Sequence, residues 1–243
     1  MTAESPVRSS KGEVTRKTRS PRTPSNRRQN TSILLFIFNS EKFKRFFDIS
    51  FSLSVLILGC PLYLILAFLI AVTSPGPIFY VQQRVGKNYR SFPCLKFRTM
   101  VCNAEEILDE LFQHSPELQQ EFEDTYKLKQ DPRITKIGKF LRLTSLDELP
   151  QFWNVLKGEM SVVGPRPLVP DELKYYGRYM AKVLTVKPGI TGLWQVSGRN
   201  DLPYQRRIHL DVYYASYRSL FLDLFIILRT VGIVLFPGNN GAY

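Results

Sequence analysis

Two adjacent carboxylates, Asp147 and Glu148, open a run whose residue types suit phosphate chemistry: Thr144-Ser-Leu-Asp-Glu-Leu-Pro-Gln-Phe-Trp-Asn-Val-Leu-Lys-Gly-Glu-Met-Ser-Val-Val-Gly-Pro-Arg-Pro167. A carboxylate with a reference pKa of about 4 is ionised at neutral pH and needs no base to act as a nucleophile. Arg142 precedes the pair and Arg166 follows it. In Gly164-Pro-Arg-Pro167 each proline fixes its own φ and disfavours helix in the residue before it, so Arg166 is carried on a stiff extended segment. Two carboxylates flanked by two guanidiniums suit a metal-bound phosphate and its nucleophile. A structural explanation competes with this: Ser145 and Glu148 fit the S-x-x-E capping box, and a rigid arginine can simply form an ion pair.

The elements that must position these groups are legible in outline. Leu146, Leu149, Phe152, Trp153 and Leu156 recur at helical spacing, and Gly158 is a stop. Pro150 would delete a backbone bond of a helix starting at Ser145, so the helix starts there or later, with Asp147 near its cap. Pro77 to Arg84 and Phe92 to Met100 read as strands of a β-hairpin across Gly86-Lys-Asn88, with Lys96 and Arg98 on one face and Leu95 and Phe97 on the other. Residues 103–129 read as a helical scaffold and 131–143 as a basic segment. The glycines of Lys187-Pro-Gly-Ile-Thr-Gly-Leu-Trp-Gln-Val-Ser-Gly-Arg-Asn200 permit close backbone approach but match neither a P-loop nor a dinucleotide fingerprint. Asp211 heads Asp-Val-Tyr-Tyr, where a helix cap is the plain alternative to a site role.

The chain has 243 residues, 44 % of them hydrophobic, and a formal charge of +12. In the first thirty residues eight basic side chains face Glu4 and Glu13, so half the excess charge is in a tail too polar to fold alone. Such a tail suits an anionic membrane surface; no aromatic interleaving points to a specific nucleic acid. From Ile49 to Val72 the chain carries no charge, and as one helix it would be about 36 Å long, enough for a bilayer core. Basic residues flank it on both sides, so the positive-inside rule chooses no orientation. A re-entrant hairpin broken at Gly59-Cys60-Pro61 resolves this, entering and leaving on the cytoplasmic face. Phe221 to Phe236 is too short for a comfortable span and reads as an interfacial amphipathic helix. Cys60, Cys94 and Cys102 support neither a disulfide framework nor a zinc site, which fits a reducing compartment, and His114 and His209 are isolated.

Eight ordered motifs complete the reading: Lys96-Phe-Arg-Thr-Met100, Asp131-Pro-Arg133, Thr144 to Gln151, Asn154-Val-Leu-Lys-Gly158, Gly164-Pro-Arg-Pro167, Lys187 to Gly192, Gln195-Val-Ser-Gly-Arg-Asn200 and Asp211-Val-Tyr-Tyr214. Together, over residues 42 to 236, they resemble the bacterial sugar transferases called monotopic phosphoglycosyl transferases. The resemblance implies an α+β, mainly helical fold: a re-entrant membrane helix, a small β-hairpin and interfacial helices around one catalytic core. It divides the chain into a basic tail (1–41), the membrane helix (42–74) and a cytoplasmic catalytic domain (75–243), and absence of further spanning segments before Lys42 would make this a minimal form. It also implies transfer of a sugar 1-phosphate from a nucleotide (UDP) hexose to polyprenyl (undecaprenyl) phosphate at the cytoplasmic face of the inner membrane, opening exopolysaccharide, capsule, O-antigen or glycoconjugate synthesis. Later glycosyltransferases of such a pathway are possible partners. Asp147 would be the nucleophile and a Mg²⁺ ligand, with Glu148 beside it. Lys96, Arg98, Arg142, Arg166, Arg199 and Asp211 would bind phosphate or substrate. Cys60 stands where the family commonly has serine before the proline, so a serine hydrogen bond at the bend is absent. The alternative is a membrane-anchored basic scaffold for lipid or nucleic acid, without catalysis.

Overall fold

The uncharged run folds as two helices: α1 (Glu41–Leu58) and α2 (Cys60–Thr73) meet at Gly59 with a bend of 61°. Pro61 falls in the first turn of α2, where a missing N–H leaves no intrahelical bond unmade, so the proline starts a new axis instead of kinking an old one. No single helix among the described residues is long and apolar enough to cross a membrane; this bent pair meets that test by length and composition. The computed structural model describes residues 40–125, 128 and 130–236. The basic tail expected at the start lies outside them, apart from its last two residues.

Two strands follow as expected, slightly shorter: β1 (Phe79–Val85) pairs antiparallel with β2 (Ser91–Phe97), Tyr80 opposite Lys96 and Arg84 opposite Phe92. The turn is carried by Asn88 and Tyr89, both at positive φ. The scaffold is two helices, α3 (Ala104–His114) and α4 (Pro116–Thr125), and the basic segment becomes α5 (Lys136–Thr144). After it comes α6 (Gln151–Lys157), ended by Gly158 at φ 86 as its sequence suggests. A parallel pair, β3 (Ser161–Val163) and β4 (Gly189–Thr191), is not foreshadowed by any alternation in the sequence. Between those strands lie two single-turn helices, α7 (Leu173–Tyr176) and α8 (Met180–Val183), and the chain closes with α9 (Tyr204–Tyr217) and α10 (Leu220–Leu235).

Three apolar clusters tie these pieces together. Phe92 and Cys94 of β2, Phe152 and Val155 of α6, Val162 and Val163 of β3, Tyr214 of α9 and Ile226 of α10 form the largest. Leu66 and Ile70 seat one face of α2 against Phe97 and Leu141, all 2 % exposed or less. Each such side chain contributes roughly 1.5–3 kcal/mol by burial. The third packs Leu168, Tyr176, Val183 and Ile208. Polar staples set the angle of α1: Lys44 bonds Asp223 of α10 at 2.7 Å, and Asp48 accepts from Ser161 Oγ and Val162 N, both at 3.0 Å.

Candidate active site

The acidic pair is held in a single 3₁₀ turn, Leu146–Glu148, between α5 and α6. Ser145 takes a left-handed conformation, φ 58, that ends α5, and its side chain makes no capping bond. The capping box is therefore not formed. α6 begins only at Gln151, after Pro150, later than either start expected from the sequence, so Asp147 does not cap it. Its buried face is Gln151, Phe152, Asn154 and Val155, while Trp153, expected inside, is 52 % exposed. The turn is pinned from two sides. Tyr63 of α2 donates to Leu149 O at 2.7 Å, and Asn154 bonds both Leu95 N and Pro93 O, which clamps β2 beside it.

That clamp brings Lys96 to the carboxylates. Lys96 shares its strand face with the buried Phe92 and Cys94, so it leaves the core side of β2, not a solvent face. Its Nζ donates to Glu148 Oε1 at 2.6 Å and lies 3.9 Å from Asp147 Oδ2. Burial pushes the Asp147 carboxyl up to about 6, with Glu148 adding to the rise and Lys96 and Arg142 opposing it. Glu148 moves the other way: burial favours its neutral form, but Lys96, Arg166 and Arg84 together hold it below the ordinary value. The pair is thus split by its surroundings, a pattern expected where two carboxylates have different tasks.

Arg142, in the last turn of α5, donates Nε to Thr99 Oγ1 at 2.9 Å and lies in the field of Asp147. Arg166 is in the field of Glu148, and among the described residues its guanidinium has no hydrogen bond or ion pair. Arg199, at φ 50, also feels Glu148. The structure therefore gathers Lys96, Arg142, Arg166 and Arg199 around the acidic pair. Arg98 is not gathered: β2 ends at Phe97, and Arg98 turns away to donate to Ser74 O at 2.5 Å and to Cys102 Sγ at 3.1 Å, fastening the end of α2. Asp211 is 0 % exposed within α9, bonded by Tyr176 Oη at 2.9 Å and linked to the site only through the field of Arg166.

Arg84, read from sequence only as a flanking charge, proves to belong here. It is 7 % exposed, feels Glu148 and Arg166, and donates to Pro167 O at 3.1 Å. With Val85 N bonding Leu168 O at 2.8 Å, the end of β1 holds the segment that carries Arg166. The signal available was register: Arg84, Gln82, Cys94 and Lys96 fall on one face of the hairpin. The glycine loop has a structural reason: a Cβ on Gly189 would lie 2.0 Å from Gly164 N, so the two backbones meet where no side chain fits.

Adjacent carboxylates are hard oxygen donors, but no set of three or more metal-binding side chains exists among the described residues. The donor set fits a Mg²⁺ ion shared with substrate phosphates, since that ion commonly takes one or two carboxylates from a protein and the rest from phosphate and water.

A buried acidic turn, an opposed lysine and the guanidiniums whose charges act on it are groups suited to phosphate chemistry, on a mixed, mainly helical fold. The chain belongs to the bacterial sugar transferase family, whose model matches residues 39–237. It is 47 % identical over 205 residues to a UDP-galactose-lipid carrier transferase of Erwinia amylovora, covering 84 % of this chain and 42 % of that one. It is 48 % identical over 205 residues to an undecaprenyl-phosphate galactose phosphotransferase of Salmonella typhimurium, again 42 % of that protein. With the exopolysaccharide production protein ExoY of Rhizobium meliloti it shares 46 % identity over 200 residues, 82 % of this chain and 88 % of that one. The chain thus spans about two fifths of the first two relatives and most of the third.

Proposed function

We propose that this chain transfers a sugar 1-phosphate from a UDP-hexose to undecaprenyl phosphate, releasing UMP, in the first membrane step of an exopolysaccharide or related glycan. The observation that carries this is Lys96 bridging Glu148 at 2.6 Å and Asp147 at 3.9 Å, with Arg142 acting on Asp147 and Arg166 on Glu148. Relatives bearing UDP-galactose-lipid carrier and undecaprenyl-phosphate galactose transferase names support the substrate class.

In the first step an Asp147 carboxylate oxygen attacks the phosphorus that bears the sugar. The bond from that phosphorus to the bridging oxygen breaks, and UMP leaves with the electron pair. In the second step an oxygen of the lipid phosphate attacks the same phosphorus and releases the carboxylate. Lys96, Arg142 and Arg166 offset the charge that would otherwise repel a carboxylate from a diphosphate. Glu148, kept anionic, holds Lys96 at the mouth of the turn. Mg²⁺ held by Asp147 and Glu148 would supply further neutralisation of phosphate charge.

The lipid acceptor requires the site to lie near headgroup depth. The bent pair α1–α2 serves this as a re-entrant hairpin at the cytoplasmic face of the inner membrane: Leu58 is 80 %, Leu64 67 % and Phe68 66 % exposed, while Leu66 and Ile70 seat the pair on the folded body. Helix α10, with Phe221 and Leu228 likewise outward, would lie in the same interface. Membranes holding the protein are expected to release UMP from one or more of a panel of UDP-sugars. Asp147→Asn should abolish both that release and a radiolabelled protein–phosphosugar adduct. An adduct that survives the substitution removes Asp147 as nucleophile; no UMP from any donor removes the reaction.

A further inference from the structure

Tyr204, Arg207 and Asp211 follow one another on α9 at spacings of three and four, so they share one face of that helix. The face looks toward the rigid turn, because the charge of Arg166 acts on all three. Backbone contacts support the same placement. Gly164 N bonds Thr191 O at 2.9 Å, Gly189 N bonds Pro165 O at 2.8 Å, and a Cβ on Gly192 would lie 2.4 Å from Gly164 O, so the glycine loop is fastened to the turn that carries Arg166. Just beyond Gly192, Trp194 is 5 % exposed and holds the Arg207 guanidinium 5.2 Å from its ring centre. Arg207 thus reaches the edge of the site from α9, a helix that supplies none of the cations gathered around the acidic pair.

Its guanidinium is held in place. Nε donates to Leu202 O at 2.9 Å, and Tyr204, one turn earlier, adds a second ring at 6.0 Å. Stacking occupies the face of a guanidinium, whereas its donors lie in the plane. The carboxylates that serve these arginines are already shared. Glu172 acts on both Arg84 and Arg207, yet its Oε2 takes Val169 N at 3.0 Å and lies 3.8 Å from Arg84 Nη1. Glu148, in the field of Arg166, is bonded to Lys96. Asp211 carries a proton at neutral pH, because burial pushes its carboxyl up to about 8. Arg84 is taken up by Pro167 O and Gln82 Oε1. Arg166 and Arg207 therefore face each other as like charges, an arrangement that a doubly charged phosphate relieves.

We propose that Arg207 is a substrate-binding residue which, together with Arg166, grips the phosphate group that leaves with UMP. This rests on the reaction proposed above and adds to it a contact from α9. The lipid phosphate has the same chemistry, but position favours the nucleotide. Among the described residues no side chain of α1 or α2 enters the apolar cluster around Ile208 of α9, whereas the acidic turn is bonded to α2 through Tyr63. A lipid phosphate arrives on the α2 side of Arg166, and the nucleotide phosphate lies on the Arg207 side.

The first test needs no turnover: the thermal unfolding midpoint of the full chain in a neutral detergent is followed as UMP or uridine is added. UMP is expected to raise the wild-type midpoint saturably. In Arg207→Gln the half-saturating UMP concentration should rise about tenfold, the loss of one charge-assisted contact, while uridine, which lacks the phosphate, acts alike on both proteins. Arg207→Lys keeps the charge without the planar fork and should lose only about threefold. Equal UMP responses in the three proteins, or none in wild type, overturn the grip, as does an equal loss for uridine. A merely structural Arg207 would instead lower the ligand-free midpoint and leave the half-saturating UMP concentration where it was. In steady state, Arg207→Gln should raise KM for the UDP-sugar about tenfold and leave KM for undecaprenyl phosphate unchanged. The reverse pattern overturns the nucleotide as the partner of Arg207. Failure of the proposed reaction itself would show separately, as a wild-type chain that binds UMP but releases none from any UDP-sugar.

Discussion

Asp211 has one carboxyl oxygen bonded by Tyr176 and the other buried without a partner, so ionising it is costly. Burial pushes its pKa from 3.8 up to about 8, against the Tyr176 bond and the charge of Arg166, with Glu172 adding to the rise. Between those values the native state keeps a proton that the unfolded chain has released. Its contribution is therefore full below the unfolded value and is lost as pH rises toward the folded one. Asp211→Asn still offers Tyr176 an acceptor but cannot ionise. Its denaturant midpoint should fall less steeply than that of wild type from about pH 5 to about pH 8, and equal slopes would mean that Asp211 is already ionised in the fold. At this scale the acidic pair stood out by residue type, whereas Lys96 entered the candidate set only through the family resemblance, and strand register is what sets it beside Glu148. Arg84 did not stand out: from sequence it is one of several basic residues after an apolar run, and only strand register turns it inward. Arg98 fails in the opposite sense, since period two pairs it with Lys96 but the strand stops one residue short of it.

Elements were easier to find than their ends. Both strands of the hairpin, the break at Gly59 and the stop at Gly158 follow from local chemistry. The start of α6 does not, because a plausible capping box at Ser145 competes with Pro150, and tertiary contacts decide between them. One of those contacts is the packing of α5 on the chain after β2. A Cβ on Gly138 would lie 1.9 Å from Thr99 O, and Thr99 Oγ1 is the partner of Arg142. Gly138→Ala must therefore separate α5 from Thr99 and loosen the guanidinium that faces Asp147. We expect a stability loss of about 1–3 kcal/mol or more, with a fall in turnover that exceeds the fraction unfolded. A variant with wild-type midpoint and turnover would show that α5 tolerates the shift and that the Thr99 contact does not position Arg142. The β3–β4 pair was invisible beforehand because strands of three residues carry too little alternation to register.

At the scale of the whole molecule, the 61° bend at Gly59 bears on the proposed hairpin, because it would set on which side of a bilayer the two ends of the apolar pair emerge. The pair is attached to the folded body at both ends: Lys44 and Asp48 hold the start of α1 to α10 and β3, and Arg98 holds Ser74 just past the end of α2. A straight span would carry one of those anchor points through the hydrocarbon and away from its partners, stranding a buried Asp48 or Asp223. The proposed hairpin would keep both, with the two ends on one side of the bilayer. Lys42→Cys in the first turn of α1 and the native Cys102 after α2, tested one at a time in a background free of other exposed thiols, should both react with a membrane-impermeant thiol reagent in inverted inner-membrane vesicles. In right-side-out vesicles both should be protected until detergent is added. Opposite protection of the two positions would establish a full crossing and would require the contacts of Lys44, Asp48 and Arg98 to be made only outside the membrane.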